Sequence, residues 1–162
     1  MHLAQLNVAT ALYDLDHPGM ADFMNNLDRV NALAESSPGF VWRLKGEGNN
    51  ATDLQVSDDP RFIVNMSVWK NVGALCDFAY RSDHRGVMVR RREWFAKPAG
   101  PYQVLWWVRE GELPSVAEGL ARLRHLGEHG PSAYAFTFNR AFPENLVEPL
   151  DLKPEPYCIG WA

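Results

Sequence analysis

The chain has 162 residues, 46% of them hydrophobic and 22% charged, the length and balance of one globular domain with an ordinary core. Its net charge of -4 argues against a general nucleic-acid binder, although Arg85 and the run Arg90, Arg91, Arg92 make a local basic patch, read as a solvated helix face. Cys76 and Cys158 fit neither a metal spacing nor a disulfide framework, and no window approaches the roughly 18 apolar residues of a membrane span. Both cysteines therefore read as reduced thiols. The first residues lack a basic segment followed by a long apolar one, so a cytoplasmic location is expected.

Residues 2–9 alternate loosely, with Ala4, Leu6 and Val8 on one side and Leu3, Gln5 and Asn7 on the other, and predict a strand. After a turn cluster at 14–19, Met20, Phe23, Met24, Leu27, Val30 and Ala34 recur at helical spacing until Ser36-Ser37-Pro38-Gly39 stops them. Residues 40–44 form a short strand and 46–60 a polar loop without a period. Residues 61–69 alternate again, with Phe62, Val64, Met66 and Val68 opposite Ile63, Asn65, Ser67 and Trp69.

Residues 70–95 carry a helical pattern in two segments broken near Ser82, whose hydroxyl would cap the second; Pro98 and Gly100 end it. YQVLWWVR at 102–109 is a strong strand, residues 114–129 a helix with the stripe Val116, Leu120, Leu123 and Leu126, and 135–138 a short final strand. Prolines at 143, 149, 154 and 156 then forbid regular structure. The domain is placed at residues 1–142 and a proline-rich C-terminal tail at 143–162.

The order is the βαββαβ of a ferredoxin-like α+β fold, an antiparallel sheet with helices on one face and an added C-terminal helix and tail. The sheet's second face carries large apolar residues and needs cover. Burying it against another copy predicts a homodimer.

Polar residues on apolar stripes mark the candidate site. Wound at about 100° per residue, residues 80–95 put His84, Val87, Met88, Arg91 and Phe95 on one stripe, with Trp94 at its edge. His84 there is a polar group lining a cavity, a satisfied core residue or an iron ligand. Arg91, two turns on, must meet a carboxylate, bind an anionic ligand or snorkel out. Asn31 repeats the anomaly on the first helix, where the plain alternative is a core amide bonded to backbone. Together the three suggest helices that roof a cavity, with Gln5, Asn7, Asn65, Ser67, Trp42, Trp69, Trp106 and Trp107 available for its floor. Strand periodicity does not say which face is inside. Six tryptophans suit either a packed core or an aromatic-lined pocket.

No GxSxG, P-loop, GxGxxG, HExxH or CxxC motif occurs. His125 and His129, at i and i+4, lack an evident third ligand, so no metal site is expected; His2 and His17 read as lone and exposed.

The segment WKNVGALCDFAYRSDHR resembles the strand-to-helix segment of the dimeric α+β barrel superfamily, which includes the antibiotic-biosynthesis and the heme-degrading monooxygenases. The runs LDRVNALAESSPGFVWRL, NMSVW, YRSDHR, RRREWF, YQVLWWV and FTF are similar to a bacterial family of unknown function within it, over roughly residues 2–142. The resemblance implies a homodimer with a small-molecule pocket and a monooxygenase-like reaction that needs no cofactor. The substrate would be an aromatic or polycyclic molecule, with His84 and Arg91 as catalytic groups and Asn7, Asn31, Trp42, Asn65, Trp69, Met88 and Trp107 around it. It also implies an alternative, heme held by His84 as axial ligand, for which Asn7 and Trp69 are candidates for the partner Asn and Trp of the heme-degrading enzymes. A third possibility is a binding protein without catalysis.

Overall fold

The computed structural model describes residues 1–81 and 89–144. Among them are strands β1 (His2–Thr10), β2 (Phe40–Arg43), β3 (Phe62–Trp69) and β4 (Gln103–Val108), and helices α1 (Ala21–Ser36), α2 (Val72–Cys76) and α3 (Val116–His129). The strands form one antiparallel sheet in the order β2-β3-β1-β4. This is the expected ferredoxin-like arrangement. β1, built from the first residues of the chain, lies in the middle, with Leu3 opposite both Trp69 and Trp107.

Strand alternation divides the side chains between two faces. Ala4, Leu6, Met66, Val68, Val104 and Trp106 form one buried layer, and α3 closes over it with Leu120, Leu123 and Leu126. α3 starts well because Ser115 Oγ accepts from the Glu118 backbone N–H at 3.1 Å, satisfying one of the free donors of the first turn. Arg122 ties the helix down, its guanidinium 2.8 Å from Glu118 and 4.2 Å from the centre of the Tyr134 ring. On the second sheet face, α3 lies chiefly over β1 and β4, and Val8, Trp42 and Leu44 of that face stay partly buried.

α1 and α2 lie over the opposite face. A tight turn feeds β2: Gly39 has φ 83°, and a Cβ there would stand 2.6 Å from Ala74 Cβ, so only glycine fits. Asn71 caps α2 by accepting from the Ala74 N–H at 2.9 Å. The helical run expected over 70–95 takes a different form at both described ends. α2 gives way to a π-helical turn at Asp77–Arg81, and a 3-10 turn at Arg91–Glu93 ends the segment. Trp94 and Ala96 leave the helix because their backbones bond to the end of β1: Leu12 N–H donates to the Trp94 carbonyl at 2.8 Å and Ala96 N–H to Thr10 at 2.9 Å. The expected strand at 135–138 reduces to isolated bridges: Phe136 with Leu105 along the outer edge of β4, and Ala135 with Ser132 and Thr137 with Arg140 in local turns.

Candidate functional site

Much of the apolar stripe of α1 stands off the sheet between its two packed ends. Ala34 is its one buried residue, whereas Phe23, Leu27 and Val30 stay partly accessible although they face inward. The reason is a cavity of about 190 Å³ between α1 and the sheet, lined by these three residues, by Asn31 and by the strands beneath. Aromatic clusters close it at both ends. At one, Trp94 and Phe95 pack with Met20 and Phe23, the Phe23 and Phe95 rings meeting edge to face at 4.9 Å. At the other, Trp69 stacks on Phe78 at 5.0 Å and meets the edge of Phe40 at 5.4 Å.

The floor is polar. Gln5 Nε2 lies 3.2 Å from Asn7 Oδ1, 3.3 Å from Asn65 Oδ1 and 3.3 Å from Ser67 Oγ, and Gln103 Nε2 donates to Gln5 Oε1 at 3.2 Å. Trp69 Nε1 donates to Ser67 Oγ at 2.8 Å. These side chains point the same way because Gln5 and Asn7, Asn65, Ser67 and Trp69, and Gln103 alternate on the same face of three adjacent strands. Gln5 is only 5% exposed. An amide buried this deeply is costly unless bonded, and the network meets that requirement.

Arg43 closes the β2 side, 6% exposed, with Nε 3.0 Å from Glu35 and its Nη atoms donating to Asn49 at 2.6 and 2.9 Å. Lys45 also contacts Glu35, at 3.1 Å. A hydrogen bond from Lys45, with the charge of Arg43 added, holds the Glu35 carboxyl below the usual glutamate range. A depressed folded-state pKa adds stability above the unfolded value and loses it as pH falls through the folded one. Wild type should therefore melt higher than Glu35→Gln at pH 7, and the gap should close as pH drops below about 4. The gap will be small, since Glu35 is well exposed to solvent. Thermal melts across pH check this, and a constant gap would refute it.

Arg91 reaches the cavity from beside Trp94. Its guanidinium stands 4.5 Å from the centre of the Tyr102 ring. Burial pulls the arginine pKa down, offset in part by the Tyr102 and Tyr80 phenols. Burial pushes the Tyr102 phenol up, and Arg91 offsets it. Among the described residues that line the cavity there is no histidine, aspartate or glutamate; the charged ones are Arg43 and Arg91. As described, the site offers amides, hydroxyls, a cation and aromatic walls.

Of the residues singled out from sequence, the structure brings together Asn7, Asn31, Asn65, Trp69 and Arg91 around one cavity. Trp42 is not among them. A register irregularity between Phe40 and Trp42 sets it opposite Val68, and it packs on the face that α3 covers. Trp107 lies on the cavity-side face but beyond the cavity, donating from Nε1 to the Phe142 carbonyl at 2.7 Å. Trp106 packs under α3. His84 and Met88 lie outside the described residues, and with them the axial-ligand reading for heme. Sequence reasoning passed over Arg43, Tyr102 and Gln103. A polar residue within each apolar strand run, FVWRL and YQVLWWV, was the available signal for Arg43 and Gln103.

Residues 2–150 match the family described as "Domain of unknown function (DUF3291)". The chain belongs to this family. No curated protein matches this DUF3291 member. Among solved structures it is similar to Rv0793 from Mycobacterium tuberculosis, at 15% identity over 69% of this chain and 100% of that one, with a TM-score of 0.49. It is also similar to SnoaB, a cofactor-independent oxygenase from Streptomyces nogalater, at 19% identity over 70% and 98%, with a TM-score of 0.46. A third is the monooxygenase of ActVA-Orf6 from Streptomyces coelicolor in complex with nanaomycin D, at 20% identity over 70% and 92%, with a TM-score of 0.40. No helix among the described residues is long and apolar enough to cross a membrane.

Proposed function

We propose that this DUF3291 protein is a small-molecule enzyme that oxygenates an aromatic or polycyclic substrate without a cofactor. The observation that carries the reading is the cavity under α1, largely apolar on its roof and ends and amide-bearing on its floor. A flat molecule with ring oxygens suits such a site: the walls take the rings, and the donors meet the oxygens. His84, which sequence spacing puts on one helical stripe with Arg91, is the base we assign to take a proton from a ring carbon. Arg91 and the floor amides hold the resulting enolate or phenolate, which a site screened from water stabilises strongly. The electron-rich carbanion reacts with O2. Overall, a ring CH2 and O2 give a ring carbonyl and water, the substrate supplying every electron, so no external reductant is needed.

The test is oxygen uptake by purified protein with anthrone-type and hydroxynaphthalene substrates, followed with product formation. His84→Ala should lower turnover by about 10²-fold or more at unchanged melting temperature. Arg91→Met should lower it about tenfold, the usual scale of one lost charge-assisted contact. Equal uptake in wild type and His84→Ala, or none above buffer across the series, would sink the oxygenase reading. Binding without uptake would make the protein a carrier of such molecules.

A further inference from the structure

Gln5 sits where the counting of hydrogens becomes informative. Its side-chain amide carries two N–H groups, and three acceptors stand within 3.2–3.3 Å of Nε2: Asn7 Oδ1, Asn65 Oδ1 and Ser67 Oγ. At any moment one acceptor is left over. Its opposite end is anchored, since Gln103 Nε2 donates to Oε1 at 3.2 Å. Ser67 Oγ receives a second bond from Trp69 Nε1, a group that can only donate. With Oγ accepting on that side, the serine hydroxyl hydrogen is directed elsewhere. Asn7 and Asn65 present their carbonyl oxygens to Gln5, which turns their amide N–H groups away from it. All of these residues line the cavity.

We propose that Gln5 is a positioning residue that sets the polarity of the cavity floor: by sharing its two N–H groups among Asn7, Asn65 and Ser67, it points their donors at the ligand and makes the site select a phenolate or enolate over the neutral molecule. The inference deepens the oxygenase reading by naming the ionisation state that the site takes up and the buried residue that enforces it. Turning the Gln5 amide over would reverse the floor. Carbonyl oxygens would then face the cavity, and a neutral phenol would be preferred. Ligand ionisation therefore reads the orientation of one buried amide.

The experiment uses 4-nitrophenol, whose ionisation is visible in its absorption spectrum. Its affinity for the full chain is measured at pH values on both sides of its own pKa, giving separate constants for phenol and phenolate. Wild type should bind phenolate at least tenfold more tightly, so that the bound probe ionises at lower pH than the free one. In Gln5→Leu the preference should fall at least threefold from the wild-type value, Arg91 supplying what remains, because the asparagine amides lose the contact that orients them. Gln103→Leu, at a less buried position, removes the bond that anchors the Gln5 carbonyl together with one lining amide; its preference should fall between the two, which keeps the test valid if Gln5→Leu misfolds. Preference for neutral phenol in wild type, binding of neither form, or an undiminished phenolate preference in both variants would overturn the proposal. Oxygen uptake is a separate readout. Phenolate preference without uptake upholds the floor polarity and rejects the oxygenase, whereas uptake without the preference does the reverse.

Discussion

Trp69→Ala is expected to lower the unfolding free energy by about 3–5 kcal/mol, the usual cost of deleting a large aromatic side chain from a core. Trp69 has 0% exposure and joins three things at once: the stack on Phe78, the edge contact with Phe40, and the bond from Nε1 to Ser67 Oγ. Removing it opens the aromatic end of the cavity and takes a fixed donor from the floor. Trp69→Phe separates the effects. The ring contacts survive in large part while the N–H is lost, so the stability loss should shrink to about 1–2 kcal/mol, the scale of one buried hydrogen bond and its unpaired partner. Urea unfolding measures both. A loss below about 1 kcal/mol for the alanine variant would mean that the indole does not hold the end of the cavity together.

Gly119→Leu should be as damaging for the opposite reason. A Cβ at position 119 would stand 2.5 Å from Leu6 Cδ1 and 3.2 Å from both Leu6 Cβ and Trp106 Cη2. Glycine within a helix usually costs about 1 kcal/mol relative to alanine, so on an exposed surface the substitution would stabilise α3. Here the sheet is already in contact, and leucine drives the helix away from the layer it covers. We expect a loss of about 3 kcal/mol or more, at the upper end of overpacking effects. We also expect gained dye binding and a larger mass by light scattering, because the freed face carries Leu6, Met66 and Trp106 and invites self-association. An unchanged melting temperature and mass would show that α3 does not need its close seat on β1.

Most of the fold was legible because the strands announce themselves: β1, β3 and β4 alternate, and α3 opens on a serine cap followed by an even stripe. Periodicity fails where tertiary bonds override it. Trp94 and Phe95 continue a helical stripe on paper, yet the Trp94 carbonyl and the Ala96 N–H bond to Leu12 and Thr10 where β1 ends, and the helix stops at Glu93. Alternation also fails at the register irregularity in β2, which puts Trp42 on the far side from the cavity. The cavity was only half visible. Asn31 and Arg91 stood out as polar residues on apolar stripes, but a strand carries no mark of which face looks inward, so Gln5 and Asn7 were indistinguishable in kind from Trp106. The same limit hid the seat of α3: an amphipathic stripe shows that a helix needs an apolar partner and leaves the choice of face to the topology.

The placement of β1 in the middle of the sheet has a consequence for how the protein is made. Of the four strands, β1 leaves the ribosome first, and it bonds to β3, some sixty residues later, and to β4, about a hundred residues later. At translation rates of roughly 5–20 residues per second, its alternating apolar side chains wait for seconds to tens of seconds before the second partner exists. Such distant pairing also implies slow closure after synthesis, because long loops must be ordered before the contacts that reward them form. The four-stranded sheet is therefore complete only once residues 103–108 have emerged.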